Sequence, residues 1–204
     1  MKADLLLSAT GELSGKLVFI KEGYDAMSAR NEYRDKGKEN YLKEFLAQQP
    51  WQVEKSEIAN TDDADNPFVE SYEVMISNQA LITGDLMYVS PYVSLKQERN
   101  PFVLNERQYP IDLGTLQEKT LICNISLPAG YTVDELPQSK LIRFQDNSIK
   151  CTFNIAQTGN RITVVCNLLI NKALFDQAEY SGLKDFYTRL VSKMNEQIVL
   201  RKIK

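Results

Sequence analysis

Three thiols, Cys123, Cys151 and Cys166, are the natural place to look for chemistry in this sequence. A cysteine attacks as the thiolate, so it needs a base or a positive neighbour to lower its pKa. The usual base is missing, because none of the 204 residues is histidine. That excludes Cys-His and Ser-His-Asp nucleophilic catalysis within the chain, and histidine-ligated metals with it. Lysine could stand in as base only if desolvated beside the nucleophile, and no Ser-x-x-Lys or Cys-x-x-Lys pair falls on a plausible helix. The cysteine spacing matches no zinc or redox motif.

Carboxylates offer less. Asp62, Asp63 and Asp65 crowd one polar segment. Clustered oxygens suit calcium, but the EF-hand glycine and bidentate glutamate are absent, so the segment reads as a solvated loop. Asp134 and Glu135 are adjacent, and neighbours on a strand point to opposite faces, which argues against paired acid/base work. Tyr24, Tyr33, Tyr41 and Trp51 could line a peptide or glycan groove; core packing is the simpler reading. The nine glycines are scattered and form neither G-x-G-x-x-G nor a Walker pattern. The expected inventory is therefore no catalytic, cofactor-binding or metal-binding residue, and no cofactor.

What must position these residues is mainly sheet. Residues 119–127 alternate, with Leu121, Cys123, Ile125 and Leu127 on one face. Residues 149–155 repeat the pattern with Ile149, Cys151, Phe153 and Ile155, and residues 161–170 with Ile162, Val164, Cys166, Leu168 and Ile170. A period of two with one apolar face describes half-buried antiparallel strands. All three cysteines share the inward parity, which predicts buried, reduced thiols that pack as small hydrophobes. Two hairpin registers stay open. A loop at Thr158-Gly159 sets Cys151 opposite Cys166; a loop at Gly159-Asn160 sets Phe153 there.

Further strands are expected at residues 5–8 and 16–21, joined by a turn around Gly11 and Gly15, then at 51–58, 68–76 and 80–89. In the strand 68–76, Phe68, Tyr72, Val74 and Ile76 are read against Glu70, Ser71 and Glu73. A helix is expected over residues 28–48, with Ser28 as cap and Pro50 as terminator. A second is expected over 177–196. Asp176 and Glu179 form its capping box, and Tyr180, Leu183, Tyr187, Leu190 and Met194 form its core-facing stripe. A last strand at 198–200 would be shielded from edge pairing by Arg201, Lys202 and Lys204.

The fold class is thus α+β, with mainly antiparallel, β-sandwich-like sheets and flanking helices. The Pro-punctuated stretch 91–110 divides it into residues 1–95, a β-rich subdomain with a helical insert, and 96–204, a sandwich-like domain with terminal helix and strand. A single continuous sandwich is the alternative. At 204 residues the chain can bury a core without disulfide or metal. Net charge is -3, which argues against nucleic acid as partner. It is uneven, net -7 over 1–95 and +4 over 96–204, as two solvated surfaces of different sign or two mutually attracting subdomains would be. No apolar run is long enough to span a membrane, and no signal peptide is recognisable. A strand this soon after Met1 suggests a piece of something longer.

Several motifs carry a family resemblance. They are Arg99-Asn100-Pro101-Phe102, Glu106-Arg107-x-Tyr109-Pro110-Ile111-Asp112, and Leu127-Pro128-x-Gly130-Tyr131-x-Val133-x-Glu135-Leu136-Pro137. The tail from Tyr180 to Leu200 fits as well. Together they resemble the domain of unknown function that follows a transglutaminase-like core in large bacterial envelope proteins. Gly11-x-Leu13-Ser14-Gly15 and Gly23-Tyr24-x-Ala26-x-x-Ala29-Arg30 resemble the segment that joins core and domain. The resemblance implies a Cys-His-Asp core upstream, no triad residue in this chain, and a non-catalytic accessory role that stabilises the core or presents a substrate or partner. It also implies a periplasmic or envelope location, with the upstream core as partner. A binding module for an extracellular peptide or glycan is the rival reading.

Overall fold

A computed structural model describes residues 1–47, 49, 51–93 and 97–203. In chain order the elements are β1 (Lys2–Leu7), β2 (Leu13–Lys21), α1 (Gly23–Ala47), β3 (Trp51–Ala59), β4 (Phe68–Ile76), β5 (Ala80–Thr83), β6 (Leu86–Val89) and β7 (Ile111–Asp112). There follow β8 (Gln117–Ser126), β9 (Tyr131–Glu135), β10 (Lys140–Arg143), β11 (Ile149–Thr158), β12 (Arg161–Ile170), β13 (Leu174–Phe175), α2 (Tyr180–Met194) and β14 (Ile198–Lys202). The class is α+β: mostly antiparallel sheets, one of them mixed, with two helices.

Eight strands form one sheet in the order β10-β11-β12-β8-β1-β2-β4-β3. All neighbours run antiparallel except β1 and β8, which are parallel. Strands from both sides of residue 96 therefore share one hydrogen-bonded sheet. Residues 94–96 themselves, where the division was expected, lie outside the described residues. A four-stranded sheet, β5-β6-β14-β9, and the short pair β13-β7 complete the β structure. One apolar cluster runs through both larger sheets and α2, from Leu5 and Leu17 through Cys123 and Val164 to Leu190 and Leu200.

The period-two reading holds on the large sheet. Most of its inward residues are buried, with Ile155 and Leu168 half-buried and Leu127, also half-buried, just past β8; the outward face is held by polar cross-strand bonds. Asn124 Nδ2 donates to Asp4 Oδ1 (2.9 Å), Thr163 Oγ1 donates to Asn124 Oδ1 (2.8 Å), and Arg161 pairs with Asp4. The β11-β12 hairpin turns at Gly159-Asn160, with Thr158 opposite Arg161 and Phe153 opposite Cys166. Of the two registers left open, this is the second.

Several boundaries differ from expectation. Gly15 is not a turn but part of β2, where the backbone crosses β1 so closely that a Cβ would lie 2.2 Å from the Asp4 carbonyl oxygen. Only glycine permits that approach. Residues 80–89 are not one strand but the hairpin β5-β6, turned at Gly84 with φ 60°. The first helix starts at Gly23, so Ser28 lies inside it and caps nothing. Its first turn is fixed instead by the burial of Ala26, Ala29 and Arg30. It kinks at Gly37 (φ 73°, ψ 161°), and its expected end at Gln48 and Pro50 lies outside the described residues. The second helix opens with a 3-10 turn over Gln177–Glu179, where Glu179 Oε2 accepts the Asp176 N–H (2.8 Å), and ends at Met194. β14 is not an edge: it lies between β6 and β9, and Arg201 is spent on Asp134. Lys204 lies outside the described residues.

Candidate functional site

The three cysteines sit where parity places them and are all buried and free. They step diagonally across β8, β12 and β11. Cys151 and Cys166 are diagonal neighbours with sulfurs 3.8 Å apart, linked by a thiol hydrogen bond. That bond and then burial raise the Cys151 thiol; burial pushes the Cys123 thiol up to about 12. These are packing groups. Thiol reagents should label none of the three in the native protein and all three after denaturation. Cys123→Ala should cost about 1–2 kcal/mol through lost transfer and a small cavity. Rapid native labelling, or an intact mass two hydrogens light, would show that the thiols are accessible or paired.

The acidic segment serves its own loop. Asp63 Oδ2 accepts Asn66 Nδ2 (2.8 Å) and Oδ1 accepts the Asp65 N–H (3.0 Å), bonds that in that order hold its carboxyl below the usual range. Among the described residues no group of three acidic, cysteine or histidine side chains converges on a metal position. Asp134 makes a bidentate pair with Arg201 (2.8 and 2.9 Å), and that bond lowers its pKa. Glu135 faces a separate cleft.

The four aromatics do not form a binding row. Tyr41 and Trp51 are buried, Tyr33 is half-buried against Tyr41 and Phe68, and Tyr24 alone is exposed, at 71%. Tyr33, Tyr41 and Trp51 belong to an aromatic layer that seats α1 on β2, β3 and β4, with Phe45 stacked on Tyr72 and edge-on to Phe19 and Trp51.

At the centre of that layer is Glu70, fully buried and read wrongly from the sequence as an outward residue. Its number has the parity of Phe68 and Tyr72, so the alternation itself places it inward. Its Oε1 accepts the phenols of Tyr41 (2.9 Å) and Tyr72 (3.0 Å), and Lys21 Nζ lies 2.7 Å from Oε2. Lys21 Nζ also donates to Tyr41 Oη (3.2 Å) and lies 5.7–5.9 Å from the ring centres of Phe68, Phe45 and Tyr41. Burial, then the Glu70 charge, raise both phenols. A carboxylate so enclosed reaches no substrate. It ties the second half of α1 to the sheet.

The first half of α1 borders a cleft of about 580 Å³, between the helix and the 60–67 loop. Ala26, Met27, Arg30, Arg34 and Asn66 are among its walls. Arg30 is buried at its base, with Nε donating to the Asn60 carbonyl (3.0 Å) and Nη2 to that of Asn66. A second cleft, about 770 Å³, lies beside β14 and the 135–140 segment. Its buried cation, Lys193, is spent on the Gln138 carbonyl and the Glu196 carboxylate. The first cleft is lined largely by apolar surface and the second is more polar; in the second, the Ser139 hydroxyl oxygen accepts the Ile155 N–H (3.3 Å).

The motif residues hold the fold together. Asn100 Nδ2 donates to the Lys184 carbonyl (2.8 Å), and Phe102 packs edge-on between Tyr180 and Tyr187, so this segment straps α2. Ile111 and Asp112 pair with Phe175 and Leu174. Gly130 takes φ 80° in the turn before β9, and its carbonyl accepts the Ile203 N–H (2.7 Å).

The fold is thus α+β, and its family follows from comparison with known proteins. The family model described as "Domain of Unknown Function with solved-structure structure (DUF3858)" matches residues 85–200, and the chain belongs to this family. The match runs from β6 to β14 and takes in α2; α1 and the Glu70 network lie before it. No curated protein matches the chain. Among solved structures it is similar to one described as a "putative protease" from Parabacteroides distasonis ATCC 8503. Identity is 24%, the TM-score is 0.42, and the similarity covers 49% of this chain and 20% of that one. The chain thus spans only a fifth of that protein's length.

Proposed function

We propose that the chain is a non-catalytic accessory module of a longer transglutaminase-like, protease-like protein of the bacterial envelope. It stabilises the upstream catalytic core or presents a substrate or partner to it, in the periplasm or at the cell envelope. The observation that carries the reading is the sealing of every thiol in the core of a chain without histidine. The chemistry of such a core needs a thiolate and a base to make it; here the thiols are buried and the usual base, histidine, does not occur in the sequence. Membership of a domain family of unknown function over residues 85–200 supports it, as does the motif resemblance that spans nearly the whole chain. The two larger sheets share one apolar core, which favours reading them as sandwich-like layers.

The test is activity. The purified chain, incubated with casein and a fluorescent amine and then with labelled peptidoglycan peptides, should give no turnover. Turnover that survives repurification and is lost in Cys123→Ser, Cys151→Ser or Cys166→Ser would overturn the proposal. Turnover that appears only when the upstream region is restored supports it.

A further inference from the structure

The large sheet contains a slot one strand wide. β1 lies between β2 and β8, and its pairing ends at Lys2, opposite Val18 on one side and Ile122 on the other. Both neighbours run on past that point. β2 continues through Phe19, Ile20 and Lys21, still paired with β4, and β8 begins five residues before Ile122, still paired with β12. Two strand spacings separate the continuing edges, about 10 Å. The opening measures about 360 Å³, and its walls include Ile20, Lys21, Leu116, Glu118 and Lys119.

Backbone parity says what the slot can hold. The Met1 nitrogen donates to the Thr120 carbonyl (2.6 Å), and the Met1 carbonyl accepts the Ile122 N–H (3.0 Å). Odd residues of β1 therefore bond β8, and even residues bond β2. Continued by two residues, the same alternation meets the N–H and C=O of Ile20 on one side. On the other it meets the Thr120 N–H and the Glu118 C=O. The intervening residues Phe19, Lys21 and Lys119 turn their backbone groups away, to β4 and β12. Ile20, Leu116 and Tyr24 are exposed beside the opening, among charged neighbours that include Lys21, Glu118 and Lys119. A strand end left in this state is the template that strand addition uses.

We propose that this slot takes an extended segment of the same polypeptide lying N-terminal to Met1, parallel to β8 and antiparallel to β2. The segment continues β1 in line and leaves between Tyr24 and Leu116. The occupant is chosen by this alignment: a strand bonded to Thr120 and Ile20 in β1's own register runs straight into Met1, so a segment of another chain would have to end there. The proposal rests on the reading of the chain as a module of a longer protein, and gives the junction a structure. The upstream region would be stitched into the centre of the sheet and not hung from a flexible linker.

Amide hydrogen exchange tests it, on the chain starting at Met1 and on the same chain carrying its native upstream residues. The extension should slow the Ile20 and Thr120 amides about 100-fold or more, while Phe19 and Lys21 stay as they are. Proline at the residue immediately before Met1 removes the N–H that meets the Ile20 carbonyl, and should return both amides to fast exchange. Equal exchange of Ile20 and Thr120 in both forms overturns the slot and leaves the module reading standing. So does protection that survives the proline. An intact mass showing that the native protein begins at Met1 overturns the module reading and the proposed occupant together.

Discussion

Phe186→Ala should destabilise the protein by about 3–5 kcal/mol. Phe186 is fully buried on α2, among Leu183, Leu190 and Met194, and lies edge-on to Tyr187 at 5.5 Å between ring centres. Truncation loses the transfer energy of the ring and leaves a cavity in a layer braced from several sides. The strap through Asn100 and Phe102 holds the helix from outside, and the Tyr180 hydroxyl donates to the Leu104 carbonyl (3.0 Å). Gly182 is already so close to Phe144 that a Cβ there would lie 2.9 Å from its ring, so the helix has little room to settle inward. Equilibrium urea unfolding measures the effect. Leu190→Ala, at the same interface, should cost about 2–5 kcal/mol. A midpoint shift worth less than about 1 kcal/mol for Phe186→Ala would show that α2 is an appendage and not part of the core.

Lys21→Met should cost about 3–5 kcal/mol at neutral pH, because it leaves the Glu70 carboxylate buried without its counter-charge. The pair is asymmetric. Glu70 is fully buried while the Lys21 side chain is 26% exposed, so the desolvation penalty falls mainly on the acid. The two tyrosine hydroxyls still donate to Oε1, but neutral donors do not replace an ammonium 2.7 Å away. The double variant Lys21→Met, Glu70→Gln removes the charge and should recover most of the loss, giving a coupling of roughly 1–3 kcal/mol. Additive costs would refute the assignment of Glu70 as an ionised anchor. Because Tyr41 follows the kink at Gly37, the single variant should also loosen the second half of α1. Limited proteolysis should then cut near Gly37 in Lys21→Met before it does so in the parent.

Both variants probe what holds the chain together, and the module reading gives that a functional sense. The helix α1 lies before the stretch matched by the family model, yet the Glu70 network locks it onto strands of the sheet that the match shares. An upstream core attached through β1 would therefore couple to the whole sheet.

Much of this was legible in the residues. The alternation of Leu121, Cys123 and Ile125, of Cys151 and Phe153, and of Val164 and Cys166 determines three strands and the burial of three thiols, because one buried face forces a period of two. The stripe from Tyr180 to Met194 determines a core-facing helix. The absence of histidine removes a class of chemistry without any structure. Glu70 was equally legible by parity, but its charge argued the other way; the choice depends on Lys21 and Tyr41, which lie 49 and 29 positions earlier and are brought to it only by folding. Both hairpin registers keep the same residues inward, so parity could not choose between them; the register seen places Gly159, with φ 58°, at the first central position of the turn, where glycine is favoured. Gly15 looked like a turn because glycine permits many backbone states; only the pairing of β1 with β2 shows that it is there for lack of a Cβ. Most of all, the joining of the two halves through parallel β1 and β8 was invisible locally. A strand's own pattern says which face is buried, but its partner is chosen by the sum of distant contacts, and that sum exists only in the tertiary structure.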